Sequence, residues 1–81
     1  MRQRNVKNKK DIINNSKYIV GNPNSYIGMW KEVFNNSNPI YIEIGMGKGD
    51  FILENAKRYP NINFIGIEKF DSIMALAIKK I

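Results

Sequence analysis

Two carboxylates bracket a glycine-rich turn in this chain. Glu43 opens the run Glu43-Ile44-Gly45-Met46-Gly47-Lys48-Gly49, and Glu68 stands twenty-five residues further on. Glycines are needed where a strand turns tightly into a helix and where a ligand presses against bare backbone. The backbone N–H groups of such a turn, with the helix N-terminus behind it, then face the polar groups of the ligand. An acid closing the next strand is placed to accept hydrogen bonds from ribose hydroxyls. The chemistry that this combination points to is the binding of a nucleoside cofactor.

The spacing discriminates among cofactors. The dinucleotide fingerprint is G-x-G-x-x-G, whereas Gly45, Gly47 and Gly49 give G-x-G-x-G, one residue short. The phosphate-cradling pattern G-x-x-x-x-G-K-S/T is absent, because Lys48 is followed by Gly49 and Asp50. Glu43 before the loop and Asp50 after it would repel a pyrophosphate, and Lys48 offsets only one of those charges. An uncharged nucleoside carrying cationic groups suits the loop better, and S-adenosylmethionine is such a ligand, with a positive sulfonium and a positive α-amino group. Glu43 is placed for that cationic end and Glu68 for the ribose. Each piece has a plainer reading by itself: Gly47 or Gly49 could simply shape a turn, and strand-end acids are ordinary solvent-facing residues. The whole succession of strand, loop, helix, strand and acid is much rarer by chance.

The elements that must hold these residues can be read on either side. Ile40-Tyr41-Ile42-Glu43-Ile44 is β-branched and aromatic, and a strand apolar on both faces implies burial between layers, as in a parallel sheet. Asp50 to Tyr59 reads as a helix, with Asp50 favouring its start by capping and by the helix dipole, and Pro60 stopping it. Phe64-Ile65-Gly66-Ile67 is a second buried strand ending at Glu68, and a second helix begins at Asp71 or Ser72 and runs toward Ile81. A strand–helix–strand crossover makes the two strands parallel and the connection right-handed. The fold class is therefore α/β, a Rossmann-like β-α-β-α beginning over residues 39–81. Residues 1–38 form a basic, partly helical extension before it. Within that extension Asp11 to Asn15 is a weak helical turn. Ser25 to Phe34 is a short helix capped by Ser25, with Tyr26, Met29, Trp30, Val33 and Phe34 on one face. That stripe could stack bases, but at this spacing core packing is the commoner use.

Composition narrows the possibilities. Among the 81 residues there is no cysteine and no histidine, which removes disulfides, the commonest metal sites and two common catalytic side chains. No apolar run approaches the about 20 residues that span a bilayer, and no apolar signal core follows the charged start, so a soluble cytoplasmic protein is expected. The net charge is +6. Residues 1–38 hold seven Lys/Arg against two acids, and residues 39–81 hold six against five. The excess is thus in the extension, where Arg2, Arg4, Lys7, Lys9 and Lys10 form an electrostatic footprint for phosphates. The competing explanation is compositional: Asn, Ile and Lys make up 36 residues, as an AT-rich coding sequence would supply. A parallel sheet needs several strands with helices on both faces, and only two strands are legible here. With the last helix reaching Ile81 uncapped, and Ile73, Leu76, Ala77 and Ile81 short of packing partners, the expectation is an N-terminal fragment of a longer enzyme.

The motif Ile42-Glu43-Ile44-Gly45-x-Gly47-x-Gly49, followed by Phe64-Ile65-Gly66-Ile67-Glu68, resembles the bacterial tRNA (guanine-N(7)-)-methyltransferase family. Arg2-x-Arg4, Asn22-Pro23, Trp30-Lys31-Glu32-Val33-Phe34 and Asn38-Pro39-Ile40 are similar too, so the resemblance covers essentially the whole chain. Gly66 to Phe70 is more specific to this family than the glycine loop, which most class I methyltransferases share. The resemblance implies a Rossmann-like class I fold, S-adenosylmethionine as cofactor, Glu43, Gly45 and Glu68 at that cofactor, and tRNA as the partner that receives the methyl group at guanine N(7). That nitrogen already carries a lone pair, so the implied transfer needs no prior proton abstraction and rests mainly on alignment and exclusion of water. The family's catalytic aspartate would lie beyond Ile81, so no catalytic residue is assigned to this chain.

Two other readings compete: a class I methyltransferase with a small-molecule or protein substrate, and a truncated, non-catalytic module that binds cofactor or RNA. The loop spacing and charge argue against a dinucleotide oxidoreductase. If the extension grips tRNA phosphates, Arg2→Ala combined with Arg4→Ala weakens tRNA binding by the full-length protein and flattens its salt dependence, read from binding isotherms at several salt concentrations; an unchanged slope rules this role out.

Overall fold

The computed structural model describes residues 8–81. Arg2 and Arg4 lie outside the described residues. The order of elements is a helix α1 (Lys9–Asn15), a 3-10 turn (Pro23–Tyr26), α2 (Trp30–Phe34), β1 (Ile40–Ile44), α3 (Asp50–Arg58), β2 (Asn63–Ile67) and α4 (Asp71–Ile78). The fold is α/β, and β1 and β2 pair in parallel with Ile40 opposite Asn63 and Glu43 opposite Gly66. Both strands and the crossover helix thus lie where alternation and punctuation put them.

Paired residues of a parallel ladder share a face, and successive residues alternate. Tyr41 and Phe64 therefore stand together on the face that α3 covers, their ring centroids 5.5 Å apart. Glu43 and Gly66 follow on the same face. The opposite face is bare by comparison: Ile42 is 54 % and Ile44 is 81 % exposed. The expectation that both strands are buried between layers is corrected here. Apolar on both faces as it is, β1 is largely exposed among the described residues, and Glu43 alone of its five residues is half-buried.

The extension departs from the sequence reading at two points, the first being that α1 is a seven-residue helix starting at Lys9 where the sequence predicts a single weak turn from Asp11. Ser25 does not cap a continuous helix; it sits inside the 3-10 turn, and α2 begins only at Trp30. Gly28, at φ +75, separates the two, because a left-handed residue interrupts right-handed winding. The aromatic stripe survives the break, with the Tyr26 and Trp30 rings 5.8 Å apart. A side-chain latch joins the end of the extension to the sheet. Asn63 is buried and donates through Nδ2 to Asn36 Oδ1 at 2.7 Å, while the Asn63 N–H donates to the Pro39 carbonyl at 2.8 Å.

Helix α4 is held by small side chains. Ala75 and Ala77 are buried, and Ser72 beside them is buried as well. Helix α1 packs against α4, and Lys9 Nζ donates to Ser72 Oγ at 3.5 Å. Ala77, expected to lack a packing partner, presses on the glycine loop: a Cβ built on Gly49 would lie 3.2 Å from the Ala77 Cβ. Neither Asp50 nor Asp71/Ser72 acts as a side-chain cap. Gly49 and Phe70 occupy the cap positions of α3 and α4, and neither helix start carries a side-chain capping bond. Asp50 instead accepts a hydrogen bond from Lys80, just past α4. Its pKa is lowered first by that bond and then by the Lys80 charge, with a smaller contribution from Lys48.

Gly49 has φ +81. Gly49→Ala places a side chain in the left-handed region and against Ala77, so it should destabilise the chain by about 1–3 kcal/mol, read as a lower denaturant midpoint. The Asp50–Lys80 pair has a defined pH signature. Because the folded pKa lies below the ordinary value of 3.8, its contribution is present above that value and disappears as pH falls through the lowered one. Lys80→Gln should therefore lower the unfolding midpoint slightly at neutral pH and leave it unchanged in strong acid.

Candidate cofactor site

The site is assembled where both strands end. After Ile44 the chain turns through Gly45 (φ +73) and Gly47 (φ +60), conformations that side chains beyond glycine rarely adopt. The turn is fastened to the neighbouring strand by its backbone: the N–H groups of Gly45 and Met46 both donate to the Ile67 carbonyl, at 2.8 and 3.0 Å. A Cβ added at Gly45 or at Gly47 would meet nothing within 4 Å. Gly45 and Gly47 thus serve the turn itself and leave open space beside bare backbone.

Glu68 closes the arrangement. One carboxylate oxygen accepts from the Gly47 N–H at 3.0 Å and the other from the Phe70 N–H at 3.1 Å. The acid read from sequence as a ribose acceptor is, within the protein, the clamp that holds the glycine loop against the end of β2. A carboxylate offers about four lone-pair positions, so two remain for a ligand. Lys69 and Phe70 follow at once, the Lys69 ammonium 4.9 Å from the centre of the Phe70 ring.

Glu43 is the complementary case. Its Oε1 is buried and has no hydrogen-bond partner among the described residues. A buried acceptor without a partner is costly unless something supplies a donor or a positive charge. The structure therefore brings Glu43, Gly45 and Glu68 to one end of the sheet, with an unmet acceptor, open backbone and a second carboxylate. Those carboxylate acceptors fit a nucleoside bearing cationic groups and suit a phosphate poorly.

Gly66 carries a role that spacing did not reveal. A Cβ there would run into Met46 Sδ and lie 3.1 Å from Ile52 Cδ1. Met46, from the glycine loop, thus packs across the Gly66 backbone beside Ile52, the one buried residue of α3. The available signal was a glycine interrupting a β-branched strand, which marks close approach of another group. Among the described residues, no three His, Cys, Asp or Glu side chains gather as a metal site, and no helix is long and apolar enough to cross a membrane. Two concavities lie away from the loop. One is lined by Lys17, Tyr26 and their neighbours, and the other by Tyr41, Phe51, Asn55, Tyr59, Ile62 and Phe64.

Comparison with known proteins converges on one family. A family model described as "Putative methyltransferase" matches residues 37–81, from just before β1 to the end of the chain. The chain is 51 % identical over 80 residues to a tRNA (guanine-N(7)-)-methyltransferase of Lachnoclostridium phytofermentans, covering 99 % of this chain and 37 % of that protein. It is 51 % identical over 82 residues to the protein of the same name from Oceanobacillus iheyensis, covering 100 % of this chain and 38 % of that one. A third, from a Geobacillus species, is 48 % identical over 73 residues, covering 90 % and 33 %. The chain thus spans somewhat over a third of the length of these curated relatives. The matched family segment coincides with the β-α-β-α unit and takes in the glycine loop and both acids, and a methyltransferase of this kind has the Rossmann-like class I fold: the chain belongs to this methyltransferase family.

Proposed function

We propose that this chain is the cofactor-binding beginning of a tRNA (guanine-N(7)-)-methyltransferase, with S-adenosylmethionine held at the loop between β1 and α3. The observation that carries the reading is the buried Oε1 of Glu43, without a partner among the described residues and just before Gly45 and Gly47 in the chain. When bound, S-adenosylmethionine supplies an electrophilic methyl group. Glu43 offers its carboxylate to the cationic end of the cofactor. The bare backbone at Gly45 allows the ligand to approach. Glu68 contributes in two ways, setting the loop through the Gly47 N–H and offering its remaining lone pairs to ribose hydroxyls.

The printed names of the relatives support tRNA as the substrate, and the positive excess of residues 1–38 is in keeping with it. In this division of labour residues 39–81 begin the cofactor domain. Residues 1–38 add affinity for RNA phosphates, with Arg2 and Arg4 among the contacts. Such a protein works in the cytoplasm, where tRNA is processed.

Two substitutions in a full-length protein carrying this segment separate the roles of the acids. Glu43→Gln removes the charge while keeping the shape, and should weaken S-adenosylmethionine binding about tenfold or more with little change in loop protection. Glu68→Ala should weaken binding by a similar factor and also accelerate hydrogen exchange at the Gly47 and Phe70 amides, because both lose their acceptor. Undiminished cofactor affinity in Glu68→Ala, measured by calorimetry, would show that the pocket is elsewhere.

A further inference from the structure

A second concavity, separate from the glycine loop, lies in the basic extension. It has a volume of about 250 Å³ and is lined by Lys17, Ile19, Asn22, Ser25, Tyr26 and Val33, with Val20 and Gly21 completing the wall. Its chemistry differs from that of the cofactor site. Among the described residues no acid lines it, and its one charged group is the Lys17 ammonium. A cationic nucleoside is therefore unsuited to it. Its volume falls below the about 300–1,000 Å³ of pockets that take drug-sized ligands, so it has room for a base and not for a whole cofactor.

The lining divides into three kinds of contact. Ile19, Val33 and the Tyr26 ring are an apolar wall of the sort on which a base packs. The Asn22 amide and the Ser25 hydroxyl supply donors and acceptors. Lys17 supplies a cation, held 5.3 Å from the centre of the Tyr18 ring, which is itself 56 % exposed. Tyr26 is 37 % exposed, so part of it is open to a partner, and Trp30 backs it at 5.8 Å. An aromatic face with a lysine beside it, in the half of the chain that holds most of the positive excess, matches the way single-stranded nucleic acid is bound.

We propose that this concavity is a subsite for one unpaired nucleotide of an RNA, its base against Tyr26 and its phosphate at Lys17. The proposal rests on the RNA-modifying reading above and adds to it a site independent of Glu43 and Glu68. It gives the break at Gly28 a use. A continuous helix from Ser25 would put Ser25 and Tyr26 on a rod, whereas the 3-10 turn Pro23–Tyr26 holds both at the opening with Asn22, Lys17 and Ile19.

The chain contains a single tryptophan, so Trp30 fluorescence reports on its neighbour Tyr26 without interference. Hexauridylate titrated into the 81-residue chain should quench that signal. Tyr26→Ala should weaken binding about tenfold, Tyr26→Phe should retain it, and Lys17→Gln should reduce the slope of log affinity against log salt by about 0.7. Circular dichroism checks that the 81-residue chain and each variant are folded before titration. Full affinity in Tyr26→Ala, or an unchanged salt slope in Lys17→Gln, would place the RNA elsewhere and overturn the proposal. Absence of hexauridylate binding would overturn it too, as would equal quenching by inorganic polyphosphate, which has no base to stack, or by an acidic peptide, which would indicate a protein partner. Calorimetry with S-adenosylmethionine on a full-length protein carrying this segment judges the methyltransferase reading separately, since Tyr26 and Lys17 have no part in that site.

Discussion

The grip of one carboxylate on two backbone amides organises this chain. Glu68 accepts from Gly47 on one side and from Phe70 on the other, each bond assisted by the charge of the acceptor. The first contact fixes the turn after β1, and the second fixes the corner from which α4 departs. Together with the paired bonds from Gly45 and Met46 to the Ile67 carbonyl, it makes the ends of both strands a single unit. A glycine turn has little conformational preference of its own, so its shape has to be imposed from outside. Here the imposition comes from β2, through the same side chain that the ligand would use.

Around that clamp, contact depends on what is missing. Gly66 lacks a side chain where Met46 and Ile52 pass, and Gly49 lacks one where Ala77 arrives. Each absence lets an element approach closely, so that α4 lies against the glycine turn and the turn lies across β2. Large apolar side chains contribute less. Ile52, Ala75 and Ala77 are the buried hydrophobic residues among those described, and two of the three are alanine. With so small a core, hydrogen bonds and close backbone packing take a larger share in defining the arrangement.

The β-α-β-α order was legible because its signals are local. β-Branched runs, a glycine turn, a proline stop and amphipathic spacing each act within a few residues of where they are read. The candidate site was legible as a set of positions for the same reason, since a strand end and the loop that follows it cannot be far apart. What could not be read were contacts between distant parts of the chain. Nothing near Glu68 in sequence signals that it holds Gly47, and nothing near Asp50 announces Lys80. The exposure of β1 belongs to the same class. Hydrophobicity on both faces states what a strand can tolerate, and whether a layer covers it is decided elsewhere in the molecule.

The Asn36–Asn63 latch has a bearing on chemistry far from where it sits. It fastens the loop before β1 to the first residue of β2, at the opposite end of the ladder from the carboxylates. Parallel strands can slide past one another, and a shift of one residue turns every side chain to the other surface. With Asn63 locked to Asn36 and to the Pro39 carbonyl, the two strands start in phase, and counting three steps along brings Glu43 level with the empty position at Gly66. An amide pair at the entrance of the sheet thus acts as the zero mark of a ruler, and the orientation of the acid at its far end is measured from there.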